Sequence, residues 1–124
     1  MKNLIKITVI ALLGLTACHQ ADPVKAFIPG TYTKSVTGEF SKADDTLIIN
    51  VFNGNACQII RHTTYQVIRD GKLLPPQHQT ENLQGIYDDG RQVLQETTKG
   101  KTFTFDPAKH ILIVNAKGIY KKLN

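Results

Sequence analysis

Cys57 and His62, five residues apart, are the pair in this chain whose types could do covalent chemistry. A thiol with an imidazole in reach is the minimum for a nucleophile and its base. No third residue that would orient His62 can be identified, and a lone cysteine among apolar strand residues reads as a small buried hydrophobe. The remaining histidines, His19, His78 and His110, complete neither an H-E-x-x-H pattern nor the Cys and His spacing of a structural zinc site, so no metal ligand set is expected. Ser35 and Ser41 lie outside any G-x-S-x-G elbow, which argues against a serine hydrolase. The doublets Asp44-Asp45 and Asp88-Asp89 do not make converging acid/base pairs, because adjacent strand residues point to opposite faces. Both are expected at strand edges or turns, bonded to local backbone. Calcium would require further oxygen ligands in a D-x-D-x-D-G arrangement. A phosphate-binding loop ending at Gly100-Lys101-Thr102 would need glycine at position 95, which is Gln, and a helix where Phe103-Thr104-Phe105 continues as strand. No cofactor is implied, and no catalytic residue is assigned.

The elements that carry these residues are short strands. Period-two alternation runs through Thr31 to Ser35 and Thr46 to Phe52. Asn53-Gly54 then gives the strongest hairpin signal, since both residue types tolerate the positive φ of a type I′ turn. Cys57 to Arg61 and Thr64 to Arg69 form the return, as one long bent strand or as two, before a tight turn at Asp70-Gly71. Pro75 to Gln79 reads as a loop, because proline removes ladder donors. Five strands follow: Asn82 to Tyr87, Gln92 to Thr97, Thr102 to Phe105, Ile111 to Val114 and Ile119 to Leu123. Phe103 and Phe105 share one face, with threonines on the other. Connections this short suit antiparallel neighbours, since parallel strands need a crossover of about a dozen residues. The expected fold is all-β: an antiparallel up-and-down meander of about seven to nine strands, curled or closed to hide its edges. Leu47, Ile49, Val51, Phe103 and Phe105 would form its core or pocket wall.

The N-terminus differs from the rest. Lys2 and Lys6 precede the apolar run Ile7 to Leu15, nine residues against the roughly 20 that span a bilayer. Its length and flanks are those of a secretory signal. Leu15-Thr16-Ala17-Cys18 closes the run and closely resembles the lipobox of bacterial lipoproteins. The resemblance implies cleavage after Ala17 and a diacylglycerol on Cys18, followed by N-acylation. Two or more chains make such attachment durable, at about 0.8 kcal/mol per buried methylene. His19, where inner-membrane retention in enterobacteria uses Asp, implies by the same resemblance an outer-membrane lipoprotein facing the periplasm. The expected organisation is a signal peptide over 1–17, a lipidated tether over 18–29 and a β domain over 30–124. The Gly30-Thr31-Tyr32 opening, the run of strands and the closing Tyr120-Lys121-Lys122 look like small lipocalin-like lipoproteins of unassigned function.

Composition narrows the remaining classes. At 124 residues, 41% hydrophobic and 20% charged, the chain is one globular domain and neither a disordered tail nor a coiled coil. Removing 17 residues leaves 107 and lowers the formal charge from +5 to +3. Lipid takes one cysteine and leaves Cys57 alone, so no intrachain disulfide can form. Residues 91–124 hold seven basic and two acidic side chains. That end could meet anionic headgroups or an acidic partner, while lysine guarding of exposed sheet edges accounts for it more simply. Nucleic acid is not an expected partner of an exported chain with no recognised motif. The expected function is non-enzymatic binding of a small apolar ligand in the curl of the sheet, or of an envelope protein on one face. The alternatives are an inhibitor or protective lipoprotein acting through a loop at Leu74 to Asn82, a component of a secretion or conjugation assembly, and last a small Cys57/His62 enzyme.

Overall fold

The computed structural model describes residues 22–123; the lipobox, Cys18 and His19 lie outside the described residues. One short helix, α1 (Pro23–Phe27), precedes nine strands: β1 (Gly30–Thr37), β2 (Ser41–Asn53), β3 (Ala56–Arg69), β4 (Lys72–Leu73), β5 (Gln77–Asp88), β6 (Val93–Glu96), β7 (Thr102–Asp106), β8 (Ile111–Val114) and β9 (Gly118–Lys122). Every pairing is antiparallel. Sequential neighbours pair around the ring, and β9 returns to β1 through Tyr32↔Lys122 and Thr33↔Lys121. Eight strands thus close a small lipocalin-like barrel, with β4 as a ninth outside it. Closure removes the free edges that an open sheet of this length would expose.

The inward row of each strand fills the interior. Tyr32, Leu47, Ile49, Cys57, Ile59, Leu94, Phe103 and Leu112 are all buried, with Val51, Phe105 and Val114 packed against them. Gly85 admits this packing: a Cβ there would lie 3.0 Å from Leu94 Cδ1 and 3.1 Å from the Gln95 carbonyl oxygen. An eight-stranded barrel has an interior just wide enough for its own side chains to fill. The centre of this one is accordingly packed, not hollow.

One end is closed by residues expected to be a spacer. From Pro23 onward the segment before β1 belongs to the domain. Asp22 caps α1 by accepting from the Val24 and Lys25 amides, at 3.0 and 3.2 Å, and Pro23 occupies the first turn, where its missing N–H costs nothing. Val24, Phe27 and Ile28 are buried against the barrel, each worth about 1.5–3 kcal/mol when fully removed from water. Apolar spacing in a five-residue helix is too brief to register as periodicity, which is why the segment read as a tether.

The turns differ from expectation in instructive ways. Asp70 and Gly71 both take positive φ, +53° and +72°, and join Arg69 to Lys72 in a two-residue turn, so the type I′ hairpin lies here. At Asn53-Gly54 only Gly54 is positive, at +63°. An irregularity between Val51 and Asn53 shifts the register there, and Gly54 and Asn55 form the loop between Asn53 and Ala56. The expected loop Pro75 to Gln79 is shorter: β5 begins at Gln77, pairing with Tyr65, and only residues 74–76 stay outside strands. The two return segments are one strand, β3, of 14 residues. Asp44 and Asp45 sit inside β2, not at an edge or turn, because β2 starts at Ser41.

Candidate binding site at the barrel mouth

Loops alternate between the two ends of an up-and-down barrel. Those after β2, β5 and β7 lie on the α1 side, so the loops after β1, β6 and β8 frame the other end, over which no helix lies among the described residues. The strand lengths make this mouth lopsided. β2, β3 and β5 run 13, 14 and 12 residues, while β6 to β9 run four or five. On the tall side, register places Tyr32, Leu47, Arg61 and Glu81 in one inward row, then Lys34, Asp45, Thr63 and Gln79, then Val36, Ala43, Tyr65 and Gln77 above the rim.

Within the mouth is a cavity of about 210 Å³. Leu47, Leu83, Phe103 and Val114 form its apolar surface, and Lys34, Arg61, Lys101, Asn115 and Tyr120 its polar one. Gly118 also lines it, and a Cβ there would lie 3.3 Å from Lys34 Nζ, so the small residue leaves room for the ammonium. Lys34 Nζ stands 5.7 Å from the centroid of the Tyr120 ring.

Asp45 holds the polar side together. Arg61 donates to it in a fork, Nε at 3.0 Å to each carboxylate oxygen and Nη2 at 2.8 Å to Oδ2. Thr63 Oγ1 donates to Oδ1 at 2.9 Å and Tyr120 Oη to Oδ2 at 2.6 Å. Burial alone would raise the Asp45 carboxyl, yet Arg61, Tyr120 and Thr63 together outweigh it and hold the group below the usual carboxylate range. The same burial, with the neighbouring carboxylate, pushes the Tyr120 phenol well up. Glu81 lies next along the row, 3.8 Å from Arg61 Nη1 and 2.9 Å from Lys99 Nζ. Arg61 and Lys99 are therefore matched by Asp45 and Glu81, whereas Lys34 and Lys101 pair with no carboxylate among the described residues. Asn115, in the left-handed region at φ +51°, accepts from the Thr102 amide through Oδ1 at 3.0 Å. Its NH₂ is left as the donor at the cavity.

The residues expected to carry chemistry fall elsewhere. Cys57 and His62 share β3 at an odd separation and face opposite ways: Cys57 is buried inside, His62 exposed outside, 3.1 Å from Thr80 Oγ1. The thiol is pushed up by burial, opposed only by the charge of Lys25. This pair does not meet, and the small-enzyme alternative built on it has no geometry. His78 lies on the same outer face, with Thr64 Oγ1 at 3.0 Å, and His110 packs edge-on to Phe27 at the closed end. Among the described residues no cluster of three or more His, Cys, Asp or Glu side chains could hold a metal ion. Asp88 caps a turn through the Gly90 and Arg91 amides, at 3.0 and 3.3 Å, as expected. Gly100, at φ +71°, belongs to the turn between β6 and β7, and Thr102 starts a strand, so the Gly-Lys-Thr run is a hairpin turn. Glu96 fixes that turn from inside by accepting from the Thr98 and Lys99 amides, both at 2.7 Å.

A wider depression of about 690 Å³ lies on the outer wall beside β5 and β6. Its carboxylates already have partners: Asp88 and Glu96 hold turns, and Asp89 accepts from Asn55 Nδ2 at 2.7 Å. It is a surface groove whose carboxylates serve the local turns. The mouth residues belong to no catalytic or metal-binding motif, so residue type and spacing along the chain do not mark them. Their signal is parity. Lys34, Asp45, Arg61 and Lys101 occupy inward positions of their strands, in step with Tyr32, Leu47, Ile59 and Phe103. A charge on the apolar parity near a strand end marks the rim of a barrel.

Comparison of the chain with protein-family models, with curated proteins and with solved structures returned no match.

Proposed function

We propose that the protein is a lipid-anchored component of the bacterial cell envelope that binds a small molecule at the barrel mouth and does not transform it. The cavity between Phe103 and the Arg61–Asp45–Tyr120 cluster carries this reading: it combines apolar wall, fixed polar groups and access from solvent, the usual makeup of a ligand site. The packed interior moves the ligand from the centre of the sheet, where a lipocalin-like calyx would hold it, to the rim. Asp22 follows Cys18 by four positions, a reach of at most about 14 Å, and Asp22 is fixed at the α1 end by Tyr87 Oη at 2.8 Å. A lipid on Cys18 therefore draws the closed end toward the bilayer and leaves the mouth facing away from it.

Two measurements test the reading separately. Metabolic labelling with a fatty acid should mark the wild type and not Cys18→Ser, and a label retained by Cys18→Ser refutes the anchor. Native mass spectrometry of protein extracted from envelopes should show a small-molecule adduct that Gly118→Leu, which fills the mouth, removes. An adduct unaffected by Gly118→Leu, or no adduct on the wild type, refutes the site.

A further inference from the structure

We infer that the ligand of this mouth is a small organic anion, one ring or a short chain bearing a single carboxylate or phosphate group. The inference rests on the reading of the mouth as a binding site and adds the chemistry of its occupant.

Charge decides the acidic group. Around the cavity, Arg61 and Lys99 are neutralised by Asp45 and Glu81, and Lys34 and Lys101 are left over. Glu96, whose amide donates to the Lys101 carbonyl at 2.8 Å, brings the carboxylates to three against four cations, so the excess is one positive charge at an opening flanked by low-dielectric barrel wall, where field lines concentrate. The buried carboxylates beneath these cations are already satisfied, Glu96 by the Thr98 and Lys99 amides. Both oxygens of Asp45 are taken, Oδ1 by Arg61 and Thr63 and Oδ2 by Arg61 and Tyr120. Asn115 adds to the donors, because its oxygen is bound to the Thr102 amide. A ligand entering here meets ammonium and amide N–H groups, and no free acceptor on Asp45.

Volume decides the body. A cavity of about 150 Å³ lined by apolar side chains holds benzene, so the 210 Å³ here accepts one ring with its acidic substituent. A long acyl chain needs a tunnel through the barrel, and Tyr32, Leu94 and Leu112 fill that volume. A bare inorganic anion would leave Leu47, Leu83, Phe103 and Val114 unused. Apolar wall below and cations above therefore select an amphiphilic small acid over either extreme.

The full-length lipidated protein, purified in maltoside micelles, is titrated calorimetrically with benzoate, phenyl phosphate, benzyl alcohol and inorganic phosphate. Benzoate or phenyl phosphate is expected to bind at least tenfold more tightly than benzyl alcohol and than inorganic phosphate; the stronger of the two acids names the group. The double variant K34Q/K101Q should weaken that binding at least tenfold while its melting temperature stays that of the wild type, since both side chains reach solvent and make no ion pair among the described residues. Benzyl alcohol binding as tightly as the acids overturns the charge argument and leaves the mouth reading standing. Inorganic phosphate binding as tightly overturns the amphiphile. Acid binding that K34Q/K101Q leaves unchanged places the site elsewhere and overturns the inference. If none of the four binds and the envelope-derived adduct is also absent, the mouth reading falls with it.

Discussion

The Tyr120 hydroxyl donates to Asp45 Oδ2 at 2.6 Å, joining β9 to β2 across the intervening β1 and linking residues 75 apart in sequence. The bond reaches beyond the backbone ladder. It ties the last strand of the barrel to the second from inside, just below the mouth, where β1 and β9 share only two register pairs. Closure at that seam relies on side chains.

Tyr120→Phe removes this strut alone. Hydrogen bonds to charged groups contribute about 1.5–3 kcal/mol, and Asp45 keeps Arg61 and Thr63 as partners, so the lower end of that range is expected. For a domain of this size the loss should lower the melting temperature by about 10 °C. Amide exchange should accelerate most at the β1–β9 seam. An unchanged melting temperature would mean that the strut is dispensable.

Acid should weaken the fold in a defined window. Asp45 is held below its ordinary value of 3.8, and Glu96, which burial alone would raise, is held below 4.5 by the Thr98 and Lys99 amides. A carboxyl with a depressed folded pKa binds protons less readily folded than unfolded. Its stabilisation is complete above the unfolded value and is lost as pH falls through the folded one. Melting temperature should therefore be flat from pH 7 to 5 and fall steeply below about pH 4. Asp45→Asn, measured over the same range, should show a lower plateau and a shallower acid limb. Equal acid limbs in the two proteins would exclude Asp45 as a contributor.

Most of the barrel was legible because its causes are local. Alternation at Thr102 to Phe105 fixes which side Phe103 presents, and short Gly- and Asp-containing turns permit only antiparallel neighbours. The mouth was not legible because its causes are distant. Asp45 looks like half of a turn doublet until Arg61, Thr63 and Tyr120 are brought to it by three separate strands. The basic final third also scatters in space. Lys99 and Lys101 lie at the mouth beside Lys34 and Arg61, from earlier strands, whereas Lys122 serves the closed end. Linear charge counts cannot separate the two.

The closed end is held by a cation on an aromatic ring. Lys122 Nζ lies 4.1 Å from the Phe27 ring centroid and also donates to the Phe27 carbonyl at the end of α1. The lysine stem passes Gly30, where a Cβ would come within 2.7 Å of Lys122 Cε and where φ is +150°. Phe27 also meets Tyr32 and Phe105 edge-on, at 6.0 and 6.2 Å. Phe27→Ala removes the plug and strands the ammonium, with an expected cost of about 3–4 kcal/mol. Asp22→Ala should destabilise in the same direction by freeing the Val24 and Lys25 amides and the Tyr87 hydroxyl. Denaturant titration should show both midpoints below the wild type, with Phe27→Ala the lower.

Cys57 should behave as core and not as a reagent. Only 1% of its surface reaches solvent, burial pushes its thiol up, and its sulfur has a single distant acceptor, the Asn55 carbonyl at 3.9 Å. Modification requires the thiolate and physical access, and the folded barrel withholds both. A thiol-reactive dye at pH 8 should leave Cys57 unlabelled in the native protein and label it fully in guanidinium. Because Cys57 lies among side chains that occlude it from every direction, labelling under native conditions should follow global opening and not local motion. It should then accelerate in Tyr120→Phe and Phe27→Ala in proportion to their lost stability. A native labelling rate insensitive to both substitutions would show that the β2–β3 end opens on its own and that Cys57 is accessible without unfolding.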